Sequence, residues 1–209
     1  MIKKDKCMVA YENKIKRFAD QVKGRRILDV GCGTGDYTSM FSHDRNEVIG
    51  VDINDFRQKK FVKKFDFIKY DGKKLPFTNQ EFDVVVSFDV IEHVENDLFF
   101  LNEIHRVLKK NGEVFLATPN RTRFSNMLMK IAGKPVRYPY VLSEDSRLGE
   151  VIHLREYISG ELKILFQKIN FREVGVESFW FGLRGRANRG LNSPVIKSLA
   201  QYLFVSAKK

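Results

Sequence analysis

Four short apolar runs, RRILDV, EVIGVD, DFIKYD and EFDVVVSFD, each carry an aspartate near the carboxyl end: Asp29, Asp52, Asp71 and Asp89. Runs of this length between polar turns predict buried strands. The stretches between them suit helices. Tyr11, Ile15, Phe18 and Val22 recur at helical spacing, so residues 9–23 read as an amphipathic helix ending near Gly24. Residues 35–43 suit a second helix, and a basic helix-like stretch runs to Phe65. Leu98, Leu101, Ile104 and Leu108 mark a helix over roughly 95–110, with Gly112 just past its end. GEVFLATP (112–119) is a fifth strand. Strands alternating with helices predict a doubly wound α/β fold whose parallel sheet is covered on both faces. Ligands bind such sheets beyond the carboxyl ends of the strands, where these acidic residues lie.

The remainder of the chain reads as part of one domain over 1–209, with an N-terminal helix within 1–24. Residues 119–152 carry no clear strand; they contain Pro119, Pro135 and Pro139 and the apolar patch FSNMLMKIAG. An insertion of this length after the fifth strand is expected to act as a lid. Residues 155–169 read as a helix, 171–181 as a strand, 182–194 as a basic glycine-rich loop, and 202–209 as a closing strand. Two cysteines, Cys7 and Cys32, are too few for a disulfide framework. The N-terminus lacks the apolar core of a secretory signal, and no apolar run approaches a bilayer span. A cytoplasmic protein is the expectation, with Cys32 as a packing residue.

The loop after the first strand is Gly31-Cys32-Gly33-Thr34-Gly35. Its spacing differs from the G-x-G-x-x-G of dinucleotide sites, which speaks against an NAD-dependent oxidoreductase. Asp29, two residues before it, would repel a pyrophosphate and attract an ammonium group. Asp52 suits both hydroxyls of a ribose. Asp71 and Gly72 could offer a carboxylate and a backbone N–H to an adenine edge. A ligand with an ammonium, a ribose and an adenine but no phosphate is S-adenosylmethionine.

ILDVGCGTG, the VD of EVIGVD, YDGKKLPFTNQEFDVVVSFDVIEHVEN and VLKKNGEVFLATPN together resemble class I S-adenosylmethionine-dependent methyltransferases, the small-molecule branch with the quinone-biosynthesis O-methyltransferases in particular. The resemblance runs from about residue 25 to the last strand. It implies a Rossmann-like seven-stranded sheet whose last strand, here 202–207, is antiparallel. It further implies that Asp29, Gly31, Gly33 and Gly35 surround the methionine part of the cofactor, with the carbonyl of Phe88 facing its amino group. Asp52 would hold the ribose, Ile53 pack on the adenine face, and Asp71 with Gly72 meet the adenine edge.

The acceptor should approach where Asp89, Glu92 and His93 follow the fourth strand. His93 is the candidate base, with Glu92 beside it; a supporting role beneath the site is the competing reading for both. In the quinone branch an acid-x-x-Glu-His arrangement serves in some enzymes to hold a divalent cation. Asp89, Glu92 and His93 have that shape, so Mg or Zn is a secondary expectation. His153 is a candidate second base. Phe124, Met127, Leu128 and Ile131 share one helical face near Arg123, Lys130 and Lys134, suited either to closing over the acceptor pocket or to resting on an anionic membrane and admitting a lipid-linked acceptor.

The chain carries 37 Lys/Arg against 26 Asp/Glu, a net charge of +11. The excess sits before residue 27 and after residue 120, which favours anionic partners. The expected activity is methyl transfer to a small or lipid-linked acceptor at oxygen. The alternatives are an RNA methyltransferase using the basic C-terminal third, with Arg184, Arg186 and Arg189 as contacts, and a silent cofactor-binding module. Nucleic acid is the lesser partner class, since no RNA-binding module accompanies those arginines.

Overall fold

The computed structural model describes residues 6–145, 149–180 and 197–209. Its elements follow one another as α1 (Lys6–Ala19), β1 (Arg26–Val30), β2 (Glu47–Asp52), β3 (Asp66–Lys69), β4 (Phe82–Phe88), α2 (Asp97–Val107), β5 (Leu108–Pro119), α3 (Phe124–Ile131), β6 (Tyr140–Asp145), β7 (Gly149–His153), α4 (Ser159–Lys168), β8 (Arg172–Phe179) and β9 (Tyr202–Lys208). Seven strands form one sheet in the order β3-β2-β1-β4-β5-β9-β8. Strands β1 to β5 pair in parallel, while β9 runs antiparallel to both β5 and β8. The doubly wound, Rossmann-like sheet with an antiparallel last strand is therefore the observed fold.

Side chains alternate between the faces, as period-two strands require. Ile27, Val48, Val84 and Val86 pack with Tyr11, Ile15 and Ala19 of α1. Leu28, Ile49, Val51 and Val85 pack on the other face with Leu101, Ile104 and Val107 of α2 and Leu162 and Phe166 of α4. Stacking of Phe18 on Phe115, centroids 4.1 Å apart, helps fasten α1 to the sheet.

Several expected elements come out differently. In the 35–43 stretch only a 3-10 turn forms, at Thr38–Phe41. The basic stretch before Phe65 yields only Lys59–Phe61. Lys59, Lys60, Lys63 and Lys64 put like charges at helical neighbour spacing, and no residue of the 3-10 turn is buried. The helix expected to reach 110 stops at Val107 because Leu108 already pairs with Phe82 in the sheet. Residues 119–152, read as strandless, contain α3 and an antiparallel β6–β7 hairpin. Among the described residues, no helix is long and apolar enough to cross a membrane. Arg184, Arg186 and Arg189 lie outside the described residues.

Candidate functional site

The glycine loop turns sharply off the end of β1. Gly31, Gly33 and Gly35 all have positive φ, at 83°, 46° and 84°. Such angles cost little for glycine alone. The N–H groups of Gly31 and Cys32 both donate to the Val51 carbonyl, at 2.8 and 3.1 Å, tying the loop to the end of β2. Cys32 packs over Gly50, where an added Cβ would meet its Sγ at 2.9 Å. Burial pushes its thiol pKa up, the behaviour of a packing residue.

Asp29 is 2% exposed at the base of this loop. Its Oδ2 accepts from the Thr38 hydroxyl at 2.6 Å. Its Oδ1 is buried without a hydrogen-bond partner. Burial raises the carboxyl pKa to about 7, against the lowering effect of Thr38 and with a smaller contribution from Asp52. Asp52 faces the same loop: its Oδ2 accepts from the Gly33 N–H at 2.8 Å and its Oδ1 from the Ile53 N–H at 2.7 Å. A carboxylate offers about four acceptor positions, so two remain for a ligand. Ile53 is 50% exposed beside it. Gly72 approaches Ile53 closely, since a Cβ on Gly72 would lie 3.5 Å from Ile53 Cγ2. Asp71 is exposed, and its Oδ1 closes a turn by accepting from the Lys73 N–H at 2.9 Å. The Phe88 ring is buried against Tyr37, Phe41 and Phe115.

These features fit the cofactor named by the sequence. A buried acid with one free oxygen, a second acid with spare acceptor positions and an exposed apolar side chain gather at the carboxyl ends of the neighbouring strands β1 and β2. A cationic amino group, a ribose and a flat apolar base match them in kind.

The titratable residues that follow β4 and β7 divide into two groups. Asp89, with φ of 57°, accepts from the Tyr11 hydroxyl at 3.1 Å, and burial lifts its pKa to about 6. Glu92 is 0% exposed, and its Oε2 accepts from the Thr118 hydroxyl at 2.8 Å. Its backbone carbonyl takes the Leu154 N–H at 2.9 Å, fixing the chain after β7 against the loop after β4. Burial, then the nearby Asp89, pushes the Glu92 carboxyl pKa up. His93 donates its Nδ1–H to the Ile152 carbonyl at 2.6 Å. Burial lowers its pKa, which leaves a neutral ring with a lone pair on Nε2. The His153 ring stands 4.8 Å from that of His93, and its Nδ1 meets the Glu156 carboxylate at 2.8 Å.

Sequence reasoning missed Thr38, Thr118, Tyr11 and Glu156 as partners of these groups. Tyr11 carries the one legible signal, a phenol on an otherwise apolar helix face that ends beside Asp89. The threonines sit in stretches whose pattern says nothing about where a hydroxyl points.

Comparison with known proteins agrees with the geometry. Residues 28–116 match the family described as methyltransferase domain. A ubiquinone biosynthesis O-methyltransferase of Pelagibacter ubique is 32% identical over 116 residues, covering 52% of this chain and 48% of the relative. A ubiquinone/menaquinone biosynthesis C-methyltransferase of Shewanella baltica is 32% identical over 117 residues, covering 48% and 47%. The chain thus spans about half the length of the curated relatives it matches. Among solved structures, a SAM-dependent methyltransferase from Thermotoga maritima superposes with a TM-score of 0.69 at 19% identity, covering 98% of this chain and 91% of the other. Residues 28–116 are thus similar to methyltransferase domains, and the chain shares the fold of the superposed Thermotoga structure.

Proposed function

We propose that the chain transfers the methyl group of S-adenosylmethionine to a small or lipid-linked acceptor, at oxygen. The observation that carries this reading is Asp29, buried with one unpartnered oxygen beneath a loop of left-handed glycines. In this reading Asp29, Gly31, Gly33, Gly35 and the Phe88 carbonyl surround the methionine part. Asp52 holds the ribose, Ile53 lies on the adenine, and Asp71 with Gly72 meets its edge.

When bound, the cofactor supplies an electrophilic methyl carbon on a sulfonium, whose C–S bonding pair returns to sulfur as an acceptor oxygen takes the methyl. The chain's own work is alignment and removal of the acceptor proton. His93 handles that proton at Nε2, because its Nδ1–H is committed to Ile152. Glu92 sits beside it and anchors the loop through Thr118. Oxygen as the methylated atom is supported by this proton-accepting histidine and by the Pelagibacter relative, an O-methyltransferase.

Titration calorimetry with S-adenosylhomocysteine tests the cofactor assignment. The wild-type chain is expected to bind it, and Asp52→Asn to bind roughly 10- to 100-fold more weakly, the worth of hydrogen bonds to a charged group. No binding by the wild type at millimolar ligand would remove the reading.

Lipid-linked acceptors are supported by the segment 119–152, for which we propose a lid role within a single domain spanning the chain. No side chain of α3 is fully buried, and Ile131 is 74% exposed beside Lys130. Leu128 and Met129 of α3 and Val141 and Leu142 of β6 are also exposed. Apolar groups flanked by Lys130, Lys134 and Arg137 suit an anionic membrane surface. The protein is expected to cosediment with vesicles containing phosphatidylserine at low salt, and Ile131→Asp to abolish this. Wild-type protein staying in the supernatant would end the membrane part of the proposal alone.

A further inference from the structure

We propose that Asp89, walled by the rings of Tyr11, Tyr37 and Tyr202, is a subsite for a cationic nitrogen on the methyl acceptor, a protonated amine being the ligand class. Four parts of the chain converge there. Tyr11 comes from α1, Tyr37 from just past the glycine loop, Asp89 from just past β4 and Tyr202 from the start of β9. The Tyr11 ring stands 5.6 Å from Tyr37, edge on, and 4.6 Å from Tyr202. Tyr37 in turn meets the Phe88 ring at 5.6 Å. Phe88 is the residue whose carbonyl the proposed function gives to the methionine part of the cofactor. The subsite therefore adjoins the end of the cofactor that carries the methyl group.

The carboxylate is the informative group. Its Oδ2 accepts from the Tyr11 hydroxyl at 3.1 Å. Its Oδ1 is buried with no hydrogen-bond partner. The groups that favour its charge are the phenols of Tyr11 and Tyr202 and the His153 ring, with no lysine or arginine among them. Burial, then the charge of Asp89, pushes the pKa of all three phenols up, so they stay protonated. Burial and the same charge push Glu92 up as well. The negative charge of the cluster at neutral pH thus rests on Asp89. A buried carboxylate with one oxygen unsatisfied is costly until a cation meets it.

The surroundings select the kind of cation. Hard metal ions take six or more ligands, mostly oxygens, and one free carboxylate oxygen among rings does not supply them. The expected grouping of Asp89 with Glu92 and His93 around a divalent ion is also absent: the ligand atoms within 4.8 Å of one another are those of Glu92, His93 and His153. An ammonium group suits both features of the subsite. Its N–H donates to the free oxygen, and its positive charge is attracted by aromatic faces. The inference rests on the methyl-transfer reading and names the class of its acceptor, a molecule bearing a cationic nitrogen as well as the oxygen that takes the methyl. Asp89 orients that molecule, and His93 keeps the acceptor proton.

The test uses the full chain saturated with S-adenosylhomocysteine, in EDTA, titrated calorimetrically with tyramine, tyrosol and 4-hydroxyphenylacetate. The three probes share a phenol and a similar size, and end in an ammonium, a hydroxyl and a carboxylate. Tyramine is expected to bind at least about tenfold more tightly than tyrosol, the worth of a hydrogen bond between charged groups. The carboxylate probe should bind more weakly than either. Asp89→Asn is expected to remove the preference for tyramine over tyrosol, and Tyr37→Leu to reduce it by roughly 2- to 10-fold. A merely structural defect weakens both probes and leaves their ratio unmoved. Circular dichroism establishes that each variant is folded. Wild-type protein that binds no tyramine at millimolar ligand, or binds tyrosol as tightly, would overturn the subsite. So would tyramine that displaces S-adenosylhomocysteine, or a folded Asp89→Asn protein that keeps the preference. If Asp89→Asn fails to fold, an unchanged preference in Tyr37→Leu overturns the subsite and a reduced one upholds it. If the wild type binds no S-adenosylhomocysteine, the methyl-transfer reading fails, and the tyramine-to-tyrosol ratio of the ligand-free chain still decides the amine site.

Discussion

Ligand-free protein is expected to lose stability as pH rises from about 4 to about 7, on the order of 4 kcal/mol from Asp29 alone. The direction follows from where the proton sits. The unfolded chain releases the Asp29 proton near the ordinary aspartate value of 3.8, while the folded chain holds it to about 7. Between those values the folded state binds more protons, so its advantage shrinks with each pH step. Above about pH 7 both states are ionised and the loss is complete. Asp89, raised to about 6, and Glu92, also raised, act in the same sense. Asp29→Asn isolates the first contribution: its unpaired amide costs stability equally at every pH, so its profile should be flatter by the Asp29 share. Urea unfolding of both proteins at pH values on either side of the window measures this. Parallel profiles would show that Asp29 ionises normally.

The same group links stability to function. A ligand ammonium near Asp29 favours the ionised form, so binding below about pH 7 should release a proton. S-adenosylhomocysteine should therefore stabilise the protein more strongly as pH rises through the window in which the ligand-free protein weakens. In the proposed reading, the carboxyl that burdens the empty fold is the one that meets the cofactor's ammonium group.

Much of this was legible because it rests on local pattern. Asp29, Asp52 and Asp71 were readable as a set since each lies at or just past the carboxyl end of a strand, and those ends converge on one edge of a parallel sheet, although β3 is the exposed edge strand and not the buried one its sequence predicts. The spacing of Gly31, Gly33 and Gly35 marked a ligand loop distinct from the dinucleotide pattern. That all three adopt positive φ is a finding of the structure. The acceptor side was less legible because its contacts are long-range. Nothing local in His93 or His153 says that a hairpin 59 residues away in sequence brings Ile152 onto one ring and His153 beside it. The hairpin itself escaped notice because Tyr140–Asp145 mixes apolar, polar and acidic residues without a clean alternation. Asp89 illustrates the limit from the other side. Its spacing before Glu92 and His93 suggested a shared site, but nothing in that spacing says that one of its oxygens is taken by the hydroxyl of Tyr11, 78 residues away in sequence.

Gly31→Ala is expected to destabilise the protein by about 2–6 kcal/mol and to abolish measurable cofactor binding. Two costs combine. Alanine at φ of 83° is strained by roughly 1–3 kcal/mol, and forcing an extra carbon into a packed site costs about as much again. The obstruction is specific: a Cβ on Gly31 would lie 2.3 Å from Val90 Cγ2 and 3.3 Å from Cγ1. Valine is stiff at χ1 and cannot swing both methyl groups aside. Val90→Ala alone should cost about 1 kcal/mol, since Val90 is a partly buried contact of the core. In the double variant the clash is gone but the backbone strain remains. Stability should therefore recover by the packing share only, a coupling of about 1–3 kcal/mol in the favourable direction. Cofactor affinity should return only in part, because the loop still carries a residue that resists its left-handed turn. Additive single-variant effects would mean that Val90 does not press on the loop, and a Gly31→Ala protein as stable as wild type would mean that the turn can relax without cost.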